Sequence, residues 1–437
     1  MKVARSLLLG VASAAIVAGA TTTAQAGAFG LRSQGTIAIG QAYAGTASGA
    51  AGVSSMFWNP ATITMHPGRS SEYNVSYIDA SARINVLPGT PTAAFGNSGE
   101  LAQGAVVPAS YTAYQLNEQV WVGLASAAPF GSITKPNNNW AGQVYSRTSR
   151  ITSLNFAPIV GIKVNEWLSV AAGPMVQYFK AKLNSAAPSI AAIPATATLP
   201  GAPTAVLKGD DWAVGYTLGA TITPVQGTVF GVGFRSSVHH ELEGALRSPA
   251  AVIPIRVKLN TPEQLTFGVT QTITPDFKLS AGFEWMNWSR LGSPNIVSTT
   301  TGAIVRPFPL NYKDGYLFSL GGEYQLNPQW ALRAGIAYEI SPIDLSNRST
   351  RLPDTDRVIT SIGASYAFNE KVTLNASYAH YFAVGNKRIS ITPGDALYAG
   401  IPFFGDTRAD VNLFSFGATV HWDNPKVAEA APIIRKY

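Results

Sequence analysis

Apolar and polar residues alternate along most of this chain, and the alternation is broken at regular intervals. From Phe277, one face carries Phe277, Leu279, Ala281, Phe283 and Trp285, and the other carries Lys278, Ser280, Gly282 and Glu284. From Trp330, the residues Trp330, Leu332, Ala334, Ile336, Tyr338 and Ile340 share one face, against Ala331, Arg333, Gly335, Ala337 and Glu339. The pattern recurs at 358–368, at 372–382 and, with Phe414, Phe416, Val420 and Trp422 on one side, near the end of the chain. A period of two predicts strands that bury or shield one face only.

The breaks set the topology. Tight Asn/Pro/Asp-type turns at Asn117-Glu118, Asn165-Glu166, Thr223-Pro224, Thr274-Pro275-Asp276, Asn327-Pro328 and Asn369-Glu370 fall roughly fifty residues apart, with much longer connections between them. Short turns at one end and long loops at the other are the asymmetry of outer-membrane barrels. Six short turns, with both termini on their side, require about fourteen strands, an even number as single-chain barrels have. The fold class is therefore all-β, a transmembrane antiparallel β-barrel.

Composition separates this barrel from a soluble sandwich. Charged residues make up 13% of the chain against 46% hydrophobic, and after the N-terminus no apolar run reaches the roughly 20 residues of a spanning helix. The apolar surface must be distributed by alternation. In a sandwich the charged faces would meet water; in a membrane barrel the apolar faces meet lipid and the charges point into the lumen. Trp167, Tyr324, Trp330 and Phe368 lie beside the short turns, where an interfacial aromatic girdle belongs.

The ends have their own character. Lys2 and Arg5 precede a short apolar run from Ser6 to Ala20, and Ala24-Gln25-Ala26 supplies a small-residue cleavage site, so residues 1–26 read as a secretory signal peptide and Gly27 as the first mature residue. Residues 27–68 are rich in Gly and Ala, with little alternation. They are too apolar for a disordered leader and precede the strands, which predicts a hatch folded inside the lumen. Residues 69–422 form the barrel, and 423–437, with Lys426, Glu429, Arg435 and Lys436, a periplasmic tail. The apolar loop Ser185–Gly201 reads equally as a greasy docking surface or as a low-complexity loop shielded by lipopolysaccharide.

Charge and candidate chemistry narrow the function. The formal charge of +7 falls by two when Lys2 and Arg5 leave, and the remaining basic residues are scattered, which disfavours nucleic acid as a partner. The chain has no cysteine. No nucleophile elbow or nucleotide motif is present, and His240-Glu241 lacks the second histidine of a zinc-protease motif because Gly244 stands there, so neither metal nor cofactor is expected. By alternation His239 shares the lumen face with Arg235 and Glu241, while His240 faces the other way. Asp354 and Asp356, two residues apart and so expected on the same face of one strand, are the notable carboxylate pair, and flanking Arg351 and Arg357 favour a structural ion network over the acid/base pair of an outer-membrane hydrolase. A general porin for polar solutes is the other alternative, although a Gly/Ala plug would obstruct its channel.

The segments Gly27-Ala28-Phe29-Gly30-Leu31, Gly40-Gln41-Ala42-Tyr43-Ala44-Gly45 and Met56-Phe57-Trp58-Asn59-Pro60-Ala61 resemble the N-terminus of the FadL family of outer-membrane transporters of long-chain fatty acids and other hydrophobic compounds. The likeness continues through Asn155-Phe156-Ala157-Pro158, Tyr178–Leu183, Phe234-Arg235-Ser236, Trp285–Arg290, Tyr312-Lys313-Asp314 and Leu352–Arg357. It implies a fourteen-stranded barrel with an N-terminal hatch held by Asn59, Pro60 and Ala61. It also implies passive uptake of a fatty acid or an apolar hydrocarbon, captured at the loops and released sideways into the membrane. Phe29 would then touch the ligand, and a third-strand kink at Ala128, Pro129, Phe130 and Gly131 would open the wall. The family's basic pocket residues match Ser185 and Phe308 here; Lys180, Lys182 or Arg306 stand close enough to compensate, and a ligand without a carboxylate remains open. The expected partners are the hydrophobic ligand and the surrounding outer-membrane lipid and lipopolysaccharide, with the chain working as a monomer.

Overall fold

The computed structural model describes residues 27–187 and 199–423; the signal peptide, the tail beyond 423 and most of the apolar loop expected at 185–201 lie outside them. The strands are β1 Arg69–Val86, β2 Ala105–Gln115, β3 Val120–Ala127, β4 Gly131–Thr134, β5 Thr148–Lys163, β6 Leu168–Ala186 and β7 Thr204–Val225. They continue as β8 Thr228–Arg235, β9 His239–Arg247, β10 Val252–Asn260, β11 Gln264–Thr274, β12 Phe277–Met286, β13 Asn295–Ser298 and β14 Ile304–Pro307. The last are β15 Gly315–Gln325, β16 Trp330–Ile340, β17 Arg357–Ala367, β18 Val372–Ala383, β19 Arg388–Ile391 and β20 Phe403–His421. β3/β4, β8/β9, β10/β11, β12/β13, β14/β15 and β18/β19 are each one wall strand with a break, giving a closed antiparallel barrel of fourteen. β20 pairs with β1 from Ser70–His421 to Val86–Gly405, so the sheet closes without a free edge.

The short turns share one device. Asn117 accepts the backbone N–H of Gln119 and Val120, Asn165 those of Trp167 and Leu168, Asn327 those of Gln329 and Trp330, and Asn369 those of Lys371 and Val372, all at 2.8–3.0 Å. An Asn side chain can imitate a backbone turn in this way, which lets three residues reverse the chain.

The two faces of β16 separate as the alternation predicts: Trp330, Leu332, Ala334, Ile336, Tyr338 and Ile340 face out, and Ala331, Ala337 and Glu339 are buried within. Val214, Ile362, Phe368 and Phe416 are each more than 60% exposed, a band that only lipid can cover favourably. Inside, residues 27–68 are almost wholly buried. They form α1, Thr36–Gly40, against β17 and β18, and three 3₁₀ turns, of which Thr46–Ser48 and Pro60–Met65 touch β5 to β8 and β11 on the opposite wall and Gly52–Phe57 touches β1 to β3. Glycines on the wall admit this backbone: a Cβ on Gly231 would lie 1.8 Å from the Ala47 carbonyl oxygen, and one on Gly233 1.8 Å from the Trp58 carbonyl oxygen.

Candidate binding site

The hatch begins beneath a cavity of about 440 Å³ at the loop end of the barrel, lined by Phe179, Leu242, Ile255, Val257, Leu259, Leu310 and neighbouring apolar side chains. Phe29 forms part of its floor. Its ring meets Trp288 at 4.8 Å, Phe130 at 6.0 Å and Phe179 at 6.2 Å, all edge to face, a geometry that matches ring edges to ring faces. Overhead, the loop between β4 and β5 packs Trp140 and Tyr145 against Phe403. Arg147 braces that loop internally at Asn138 and Gln143 and ties it to Ala202 and Thr204.

Beside this floor the wall is broken. The β2–β3 ladder ends at Ser110–Ser126, and the two edges meet again at the isolated bridge Ala102–Thr134. Between these points Ala128, Pro129 and Phe130 leave the wall and are buried; Pro129 has no N–H for a ladder bond, so a regular strand cannot persist there. The start of the hatch covers the break from inside. Leu31 N donates to Pro129 O at 2.7 Å, Gly131 N to Phe29 O at 2.9 Å and Gln34 Nε2 to Ala128 O at 2.8 Å, with Gly30 opposite Phe130.

Charges moor the same segment. Arg32 pairs with Glu284 at 2.7 Å and Glu339 at 2.5 Å, while Arg357 lies 3.5 Å from Glu339 and pairs with Asp354. Gly27 N donates to Glu339, and Ala28 N to Asp354 at 2.9 Å. Burial alone would lower the pKa of Arg32, but the two glutamates outweigh it and hold the guanidinium charge firmly. At the other end of the hatch Asn59 Oδ1 caps Ala61 N at 3.0 Å, and its Nδ2 donates to Ala47 O at 2.7 Å and to Ala220 O of the wall at 2.9 Å. Pro60 opens the following 3₁₀ turn, where its missing N–H costs nothing.

Of the residues expected to face a ligand, Phe29, Phe308, Arg306 and Ser185 line the cavity. Lys182 does not: on β6 Phe179, Ala181 and Leu183 line it, so the intervening Lys180 and Lys182 point out of the barrel. Arg351 lines it instead, held by Asn184 O at 3.0 Å and Ser149 Oγ at 3.1 Å. Burial, and secondarily the Arg306 guanidinium, push Arg351 below the ordinary guanidinium value, so an anion there would be welcome. Neither arginine has an ion-pair partner among the described residues.

The remaining polar groups differ from the sequence reading in two places. Asp354 and Asp356 precede β17 rather than sharing a strand face: Asp354 serves Ala28, Ser341 and Arg357, and Asp356 serves Ser341 N and Tyr338. His240, expected to face away from the lumen, is the buried one of its pair, bonded to Asp211 and Gln177 at 3.0 Å, while His239 is exposed. The irregular 236–238 segment between β8 and β9 resets the alternation.

Comparison with known proteins agrees with this architecture. Residues 17–422 match the family described as outer membrane protein transport protein (OMPP1/FadL/TodX). The chain is 25% identical over 430 residues to a long-chain fatty acid transport protein of Escherichia coli O6:H1, covering 90% of this chain and 95% of the relative. It is 27% identical over 429 residues to a 47 kDa outer membrane protein of Pasteurella multocida, covering 92% and 94%. Among solved structures, a FadL homologue of Pseudomonas aeruginosa superposes with a TM-score of 0.81 at 22% identity over 91% of this chain and 100% of the other. The toluene transporter TodX of Pseudomonas putida superposes at 0.68 with 17% identity, over 90% and 100%.

Proposed function

Because the chain belongs to the outer membrane protein transport family OMPP1/FadL/TodX, an outer-membrane family that moves hydrophobic compounds, we propose that it takes up long-chain apolar molecules bearing a carboxylate. The observation that carries this reading is an apolar cavity whose charged lining residues, Arg306 and Arg351, have no carboxylate partner among the described residues. A desolvated guanidinium gains most from a bidentate carboxylate, while the alkyl chain takes the Leu, Ile, Val and Phe lining.

In this reading the ligand enters between the loops and settles on the Phe29 floor. It leaves when the segment Phe29–Gln34 moves off Ala128–Gly131. Each CH₂ kept out of periplasmic water is worth about 0.8 kcal/mol, so a sideways exit into the bilayer is the lower path for a long chain. Movement is passive, down the ligand's gradient, needs no reaction at the site, and takes place through a single monomeric barrel. Cleavage after Ala26 fits the mooring of the hatch. Three buried carboxylates (Glu284, Glu339 and Asp354) face two guanidiniums (Arg32 and Arg357), and an α-ammonium at Gly27 beside Glu339 would supply the third cation such a buried group needs.

The test is selective binding. Arg351→Gln should weaken binding of a sixteen-carbon fatty acid by roughly ten- to a hundredfold, the worth of a charge-assisted hydrogen bond, and leave the alkane of equal length unchanged. Equal losses for both, or no loss for the acid, would move the reading to a carboxylate-free hydrocarbon.

A further inference from the structure

The lysine that fails to reach the cavity stands in a row of cations on the outer surface. Arg150 lies directly opposite Lys182 across β5–β6, and Lys182 directly opposite Lys208 across β6–β7. All three point outward, since their strand neighbours Ser149, Ile151, Ala181, Leu183, Leu207 and Gly209 line the cavity. Residues facing each other across antiparallel strands sit about 5 Å apart, and like charges there repel. No ion pair or side-chain hydrogen bond relieves any of the three among the described residues, whereas nearby Arg256 is paired with Glu241 at 2.6 Å. The outward acid two residues along β7 from Lys208, Asp210, lies opposite Lys180 instead. The loop joining β6 to β7 cannot supply the counter-charge, because no Asp or Glu occurs between Lys182 and Gly209.

Their height gives the missing partner its chemistry. Tyr178 and Trp212 face out and pack at 5.1 Å, with Trp212 55% exposed, as interfacial aromatics do. Lys182 and Lys208 lie four residues beyond them toward the long loops, about 13 Å along a strand, or roughly 10 Å along the membrane normal at a barrel's usual tilt. That is the level of outer-leaflet headgroups. We propose that Arg150, Lys182 and Lys208 form a binding site for the phosphate groups of a lipopolysaccharide-type glycolipid, a phosphomonoester resting between neighbouring cations. The site rests on the loops facing outward, as the transport reading requires.

A cation at an anionic lipid surface contributes about fivefold in affinity, so three together give on the order of a hundredfold. The full chain in detergent micelles is titrated with diphosphorylated lipid A, with the same lipid stripped of both phosphates, and with inorganic phosphate as competitor. The wild type should prefer the phosphorylated lipid by about a hundredfold, the preference falling as salt rises. The variant Arg150→Gln/Lys182→Gln/Lys208→Gln should lose it, and a control lacking Lys163, Lys278 and Lys371 near the short turns should keep it. If the triple variant fails to fold, Lys182→Gln alone should show about a fivefold loss. Undiminished preference in the Arg150→Gln/Lys182→Gln/Lys208→Gln variant or in Lys182→Gln, or displacement of the lipid by inorganic phosphate at equal concentration, overturns the proposal. Fatty-acid uptake by the same variants reports separately on the transport reading.

Discussion

Replacing Phe29 with Ala probes whether the hatch start is held by its ring. The side chain is 4% exposed and meets three aromatic rings. Burying a Phe is worth about 1.5–3 kcal/mol, and each edge-to-face partner adds about 0.5–1.5 kcal/mol. One side of the ring already borders the cavity, so little new void is created and the cavity penalty of a closed core does not apply in full. A net loss near 3 kcal/mol raises local opening about a hundredfold. This loss falls on the docking of residues 29–34, because the barrel ladder does not pass through Phe29. Hydrogen exchange should therefore quicken about a hundredfold at the amides of Leu31 and Gly131, which bridge hatch and wall, while β16 and β17 stay protected. Unchanged exchange at those two amides, or a uniform rise across the strands, would refute the reasoning.

Ile336, near the middle of β16 and 51% exposed, should cost about 2–4 kcal/mol of folding stability in lipid when changed to Arg, and Leu332→Arg, nearer the short turn, distinctly less; urea titration in vesicles measures both. Asn59→Ala removes a cap and two mooring bonds and should destabilise the hatch by about 1–3 kcal/mol, seen as faster exchange at Ala61 with the barrel intact. Burial lowers the pKa of His66 to about 4, so between that value and 6.5 the opened hatch binds a proton that the closed one refuses. Hatch stability should then fall as pH drops through that window, by at most about 3 kcal/mol, and His66→Gln should abolish the slope in an exchange profile.

Much of the barrel was legible because a lipid-facing strand must alternate. The faces of β16 and the Asn-led turns follow from local sequence. Lys182 shows the limit: its sequence position fits the pocket, but one step of register puts it on the outer face. His240 shows the same limit, since the 236–238 break resets the alternation and nothing local announces the shift. Arg351 reaches the cavity only through loops folded across the barrel mouth, contacts that no periodicity encodes. The wall glycines have a signal in hindsight: Gly231, Gly233 and Gly335 lie on lumen faces where the hatch backbone approaches.

The central claim is that an apolar ligand leaves sideways once the hatch start lifts from the break in the wall. Gly30 and Phe130 face each other as a bridge flanked by the bonds Leu31 N→Pro129 O and Gly131 N→Phe29 O, a non-hydrogen-bonded pair with Cα atoms about 4.5 Å apart, within disulfide reach. The chain has no cysteine of its own, so Gly30→Cys/Phe130→Cys would form a single reversible lock. Uptake of a radiolabelled long-chain fatty acid by cells carrying this variant should stop when the lock is oxidised, with ligand still bound, and resume on reduction. Uptake that continues at the reduced rate with the lock closed would contradict the account.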